Sequence, residues 1–165
     1  MAQIKDPQTL FQHELRLALG AERKVLATLK KLEKQAQRPQ LKQQFHHHLE
    51  ETEGQIKNLE QALEAAGAGT SAHEAESASG IAAEGEKLIG KVDDELVDAV
   101  LLGAAAKTEH VEIAMYEALI TKAAAMGSED IVALLEENLE QEQHTLEEVR
   151  AASQRLSQEL ATQTA

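Results

Sequence analysis

The sequence predicts an all-α protein, built as a four-helix up-down bundle with one long crossover connection and one short extra helix. Three observations lead there. The 165 residues contain 2% aromatics and two prolines, while Ala, Glu, Leu, Gln and Lys, all good helix formers, dominate. Apolar residues recur at three- and four-residue steps over long stretches. Breaks at Arg38-Pro39, Gly67-Ala68-Gly69 and Met126-Gly127-Ser128 divide those stretches. The length suits a single domain spanning residues 1–165.

The first helix is expected over about 7–36. Asp6 serves as its N-cap and Pro7 takes the first helical position. Its inner stripe runs Leu10/Phe11, Leu15, Ala18, Glu22, Val25, Leu29, Leu32 and Ala36. Arg38-Pro39 starts the second helix, about 39–66, with the stripe Leu41, Phe45, Leu49, Thr52, Ile56, Leu59 and Leu63. The glycines after it are a C-terminal stop. His48, Glu51 and Gln55 flank that stripe. Residues 67–91 are small, polar and Gly/Ser-rich, with one short helix over about 79–89; so long a connection between long helices suits a crossover. The third long helix is expected over about 92–125 and the fourth over about 128–156, leaving 157–165 as a frayed tail.

The third helix carries KTEHVEIAMY. Its apolar line, taken in helical steps, reads Leu102, Ala105, Glu109, Glu112, Tyr116, Leu119 and Ala123. Glu109 and Glu112 share one face at their three-residue spacing, and it is the core face. Glu22 is the misfit on the first helix's inner line and Glu142 on the fourth's (Ile131, Leu135, Asn138/Leu139, Glu142, Leu146, Val149, Leu156). With Glu51 on the second helix, each carboxylate falls near the middle of its helix, and in antiparallel packing the middles meet at one level. Buried carboxylates need a partner. One remedy is bound cations, for which oxygen-rich ligands suit iron or manganese, as two ions or one. The other is neutralisation by protons or by Lys24, Lys107 and the histidines.

The histidines do not complete a simple ligand pattern. His48 alone of His46-His47-His48 lies near the inner line. His110 points about 100° away from Glu109, which suits a supporting or surface place. His144 follows Glu140 by four residues and Glu142 by two. Tyr116, one turn past Glu112, is placed to hydrogen-bond a core carboxylate; a redox role is the sharper alternative. His13 and His73 read as surface residues, Met115 and Met126 as packing.

Other functions find little support. A formal charge of −13 argues against nucleic-acid surfaces and anionic membranes. The absence of cysteine excludes disulfides and thiolate chemistry. No stretch reads as a signal peptide or a membrane span, so a cytoplasmic protein is expected. There is no phosphate-binding glycine loop and no serine or cysteine nucleophile signature.

LGAERKVL around Glu22, HHLEETEGQI around Glu51, KTEHVEIAMY around Glu109 and Glu112, and LEQEQHT around Glu142 together resemble the YciE/YciF-type stress proteins of the ferritin-like superfamily. The resemblance runs from Pro7 to about Leu156. It implies a ferritin-like bundle associated as a homodimer. In the wider superfamily, rubrerythrin-like proteins take Glu from the first helix, Glu-x-x-His from the second, Glu-x-x-Glu from the third and Glu-x-x-His from the fourth. Glu22, Glu51, Glu109 and Glu112 match that pattern. Gly54 stands where the second-helix His is expected. Aligning His144 with the last His puts Gln141 at the Glu position, with Glu142 the nearest substitute. These departures leave one metal, or an altered pair, open. Two functions follow as expectations. One is an iron or manganese protein that oxidises Fe(II) or removes peroxide. The other is a metal-free dimeric structural or interaction protein.

Overall fold

A computed structural model describes residues 3–163. Its helices are α1 (Pro7–Gln35), α2 (Pro39–Ala65), α3 (Glu76–Ile89), α4 (Val97–Ala125) and α5 (Glu129–Gln163), with a 3-10 turn at Asp94–Leu96 before α4. Among the described residues there is no strand.

The ends of the helices follow from local chemistry. Asp6 accepts hydrogen bonds from the Thr9 backbone N–H and hydroxyl, both at 2.8 Å, while Pro7 opens α1. After α4 the chain turns through Gly127, at φ 70°. There the Gly127 N–H bonds the Ala124 carbonyl and the Ser128 N–H reaches back to Ala123, the paired bonds of a Schellman stop.

Two apolar clusters define the directions of the helices. One joins Leu15 and Leu19 near the start of α1 to Leu59 and Leu63 near the end of α2, Leu119 and Ala123 near the end of α4, and Leu135 near the start of α5. The other joins Leu29 of α1, Leu41 and Phe45 of α2, Leu101 and Leu102 of α4, and Val149 and Leu156 of α5. So α1 and α5 run one way while α2 and α4 run the other. Because α2 and α4 are parallel, residues 66–96 must return along the bundle, which is why this connection is long. Around the bundle, α1 neighbours α2 and α4, and α5 neighbours α2 and α4. The short helix α3 packs on α4 and α1.

The crossover is seated by backbone contact. The His73 N–H donates to the Arg16 carbonyl at 2.9 Å, and Gln8 and Gln12 both donate to the Ala66 carbonyl. Gly20 makes the approach possible, since a Cβ there would sit 1.7 Å from the His73 carbonyl oxygen. At the opposite end Asp98 of α4 is buried. Its carboxylate accepts from the backbone N–H groups of Gln37 and Arg38 (2.7 and 3.1 Å) and from the Arg38 guanidinium (3.2 Å). That pins the α1–α2 corner to the first turn of α4.

Three boundaries differ from the sequence expectation. The short helix begins at Glu76 rather than Ser79, because Ala78 is drawn into a contact with Ala21 and Ala75. The helix expected from residue 92 begins at Val97, since the acidic Asp93-Asp94 pair makes a turn in which the Asp93 carbonyl takes the Leu96 N–H at 2.9 Å. The tail expected to fray from Ser157 stays helical to Gln163. Leu156 is buried, Leu160 packs beside it and Glu159 pairs with Arg38 at 3.0 Å. Thr164 and Ala165 lie outside the described residues.

Gly20→Ala should lower the stability of the protein by about 3 kcal/mol or more, because helix backbone meets loop backbone and neither can step aside. Gly54→Ala, in open space, should raise it by about 0.5–1 kcal/mol. Urea unfolding of the two variants checks both signs. Asp98→Ala should cost on the order of 3 kcal/mol, through two backbone N–H groups left without their acceptor and a guanidinium left with Glu159 alone.

Candidate metal centre

Between the two apolar clusters the bundle has a polar waist. Glu22 of α1, Glu109 and Glu112 of α4, and Glu142 of α5 are each no more than 1% exposed there, and α2 contributes His48, 4% exposed. Ligand atoms of His48, Glu109, Glu112 and Glu142 lie within 4.8 Å of one another. Glu22 joins them electrostatically, since its charge pushes up the pKa of both Glu112 and Glu142.

Four carboxylates thus surround one imidazole. Burial drives the Glu22 carboxyl from an ordinary 4.5 to about 7, in spite of its hydrogen bond from Tyr116. Glu112 and Glu142 are held well above the carboxylate range, by burial first and then by their acidic neighbours. For His48, burial alone would lower the pKa. Glu109 and Glu51 outweigh that and hold it well above 6.5. The basic side chains the sequence offered are elsewhere: Lys24 is exposed, and Lys107 is on the surface, paired with Glu84. Both oxygens of Glu112, both of Glu142, Oε2 of Glu22 and Oε2 of Glu109 are buried without a hydrogen-bond partner.

The surroundings orient these groups. Nε2 of His48 lies 3.3 Å from Glu109 Oε1, and Nδ1 faces Glu51 Oε2 at 3.7 Å. Thr145 of α5 places its hydroxyl 3.5 Å from His48 Nδ1 and 3.5 Å from Glu51 Oε2. An imidazole held from behind by a carboxylate is how a ligating histidine is usually fixed in tautomer and direction. On the other side Tyr116 donates its hydroxyl proton to Glu22 Oε1. The Tyr116 oxygen accepts from Asn138 Nδ2 at 3.1 Å, and Asn138 Oδ1 accepts from Asn58 at 2.8 Å. Burial and the nearby Glu22 keep the tyrosine well above 10, so it stays a proton donor.

The candidates named from the sequence therefore occupy distinct places. Glu22, Glu109, Glu112 and Glu142 meet in the waist, with His48 among them. Glu51 lies at the same level but at the edge, its side chain 17% exposed, touching His47 at 3.4 Å as well as His48. His48 holds the Glu51 carboxyl below its ordinary value against the effect of burial. Gln55 is buried with both side-chain polar atoms unpartnered. His110 is on the surface, 3.2 Å from Arg150, and His144 is on the surface beside Glu148 at 3.6 Å. Gly54 has open space around it. No role is read from the sequence for Asn58 or Thr145, and Asn138 stands there only as an alternative to Leu139 on the packing line.

Comparison with known proteins adds the family. A model described as "Domain of unknown function (DUF892)" matches residues 6–162. The chain belongs to the DUF892 family. A relative, Protein YciF of Escherichia coli K12, is 35% identical over 144 residues, which cover 86% of this chain and 87% of that protein. The crystal structure of the E. coli stress protein YciF superposes with a TM-score of 0.88 at 32% identity, covering 94% of this chain and 99% of that one. YcfI of Rhodopseudomonas palustris, for which a structural role has been suggested, gives 0.87 at 32% identity, covering 90% and 95%. The fold is therefore that of a stress protein of this family. No helix among the described residues is long and apolar enough to cross a membrane.

The charge state of the waist sets a pH dependence. The folded pKa values of Glu22, Glu112, Glu142 and His48 all lie above their unfolded values. Their stabilising contribution is complete below the unfolded values and is lost as pH rises through the folded ones. Chelator-treated protein should accordingly melt at progressively lower temperature from pH 5 to pH 8, Glu22 alone accounting for on the order of 3 kcal/mol. Calorimetry across that range checks the slope, and Glu22→Gln should flatten it.

Proposed function

We propose that this DUF892 protein is a stress-response metal protein of the ferritin-like type, binding iron or manganese through Glu22, Glu109, Glu112, Glu142 and His48. The observation that carries the proposal is the charge balance of the waist. Four carboxylates face one imidazole in a dry interior, six of their oxygens have no partner, and neither Lys24 nor Lys107 reaches them. Two divalent cations, or one cation with protons on the remaining acids, would restore the balance. The donor set fits: oxygen ligands with a single imidazole suit iron and manganese, and helical bundles hold paired metals with this kind of residue. Glu51, the match to the helix-two carboxylate of the superfamily pattern, faces Nδ1 of that imidazole at 3.7 Å from the edge of the waist, where it would serve as a further ligand or hold the histidine.

When bound, iron or manganese would supply a change of oxidation state, the chemistry for oxidising Fe(II) or removing peroxide. The chain supplies the rest. His48 presents Nε2 inward because Glu51 and Thr145 hold Nδ1. Tyr116 holds Glu22 in place through its hydroxyl proton, itself aligned by Asn138. The two apolar clusters exclude water on either side. The cytoplasm would be the place for such chemistry.

A second reading rests on the raised pKa values of Glu22, Glu112 and Glu142. Protonated acids can sit in a core without a cation, and the protein would then be a structural or interaction protein working as a homodimer in the stress response. The structural role suggested for YcfI points the same way.

Two measurements decide. Protein purified without a histidine tag and loaded anaerobically with Fe(II) should carry about two equivalents per chain; traces only would sink the metal reading. Glu109→Gln with Glu112→Gln keeps the shape and removes the charge. The double variant should lose metal and stabilise the metal-free protein by about 1–4 kcal/mol. Unchanged stability, in a protein that never held metal, would favour the structural reading.

A further inference from the structure

Beneath α3, between α1 and α4, lies a cavity of about 40 Å³. A single water needs roughly 10–15 Å³ of such space, so the cavity takes a few atoms and excludes anything the size of a sugar or nucleotide. Its walls are apolar: Val25 and Leu29 from α1, Ile81 and Ala82 from α3, Leu101 and Ala104 from α4. Its inner end is formed by His48 and Glu109, and its rim includes Lys31 and Glu86, whose 2.7 Å ion pair ties α1 to α3.

Apart from the Lys31–Glu86 pair, Gln35 and the His48–Glu109 end, the wall offers a guest almost nothing to hydrogen-bond. Its two hydroxyls, Thr28 and Thr108, each give their proton to a carbonyl of their own helix, Lys24 at 2.9 Å and Ala104 at 3.1 Å. An ion entering would lose its water without replacement. Hydrogen peroxide, with two donors, is poorly served for the same reason. A small uncharged molecule with no donors suffers neither penalty. At the end of the passage it meets His48 and the buried, unpartnered Oε2 of Glu109.

We propose that this cavity is a passage that admits dioxygen to the His48–Glu109 end of the carboxylate cluster, with α3 as its outer wall. Its use in oxidation rests on the metal reading above, but its existence does not. The small residues of α3 fit this role. Gly85 lies so close to α4 that a Cβ would be 3.4 Å from that of Ala104, and larger side chains there would close the space.

The test uses metal-free, methyl-labelled protein under dissolved dioxygen, whose paramagnetism speeds the relaxation of nearby methyl groups. The methyls of Val25 and Leu29 should be affected several-fold more than those of Leu119 and Ile131, which are about as deeply buried in the other apolar cluster. Ala82→Phe, which fills the cavity, should remove the excess, and Ile81→Ala should enlarge it. Equal relaxation in both clusters, or an excess indifferent to both substitutions, overturns the proposal. With Fe(II) bound, Ala82→Phe should slow oxidation by dioxygen several-fold at unchanged metal content and leave oxidation by hydrogen peroxide as it was. Because the methyl measurement needs no metal, the two proposals fail separately. Responsive methyls in a protein that binds no iron uphold the passage and remove the metal reading; silent methyls in an iron-binding protein do the reverse.

Discussion

The bundle is governed by the burial of four carboxylates around a single imidazole. Each such group costs several kcal/mol to take out of water as an ion, and side chains recruited from the protein cannot meet that cost here. The remaining options are protons or cations, and the local architecture serves both. Raised pKa values let Glu22, Glu112 and Glu142 hold protons. Ligand atoms of His48, Glu109, Glu112 and Glu142 lie within 4.8 Å of one another, within reach of one bound cation.

The apolar clusters above and below give the waist its character. With Leu15, Leu59, Leu119 and Leu135 sealing one side and Leu29, Phe45 and Leu101 the other, the local dielectric is low, which strengthens every electrostatic term between them. The same sealing makes routes of entry matter. On one edge Glu51, Thr145 and the neighbouring His47 form a polar margin. On the other, α3 covers an apolar hollow. A cation and a neutral gas would not be expected to share a path, and the two margins of His48 differ accordingly.

Much of this was legible in the sequence, because carboxylates on a core stripe stand out against leucine and alanine. The α4 line from Leu102 to Ala123 is buried as its spacing indicates, and Glu22 and Glu142 fall inside for the same reason. The second helix was harder. Its apolar residues Leu49 and Ile56 drew the reading to one side, whereas the buried line passes through Phe45, His48, Thr52, Gln55 and Leu59, a steady 3.5-residue repeat through polar side chains. At a polar waist the inner face is the less hydrophobic one, so hydropathy points away from it. Asn58 and Thr145 carry no mark that separates them from solvent-facing residues. Gly20, taken alone, is a weak spot in a helix; only the passage of the His73 backbone over it gives it meaning.

The parallel course of α2 and α4 has a consequence for how the molecule holds together. It divides the chain into two hairpins, α1 with α2 and α4 with α5, joined by a single strap. The first brings Glu22 and His48, the second Glu109, Glu112 and Glu142, so the charged groups lie on both sides of the seam. Whatever neutralises them works as a clasp between the halves. Ionised and bare, they would pry the seam open from the inside, turning the buried acidic cluster into the place where the fold begins to come apart.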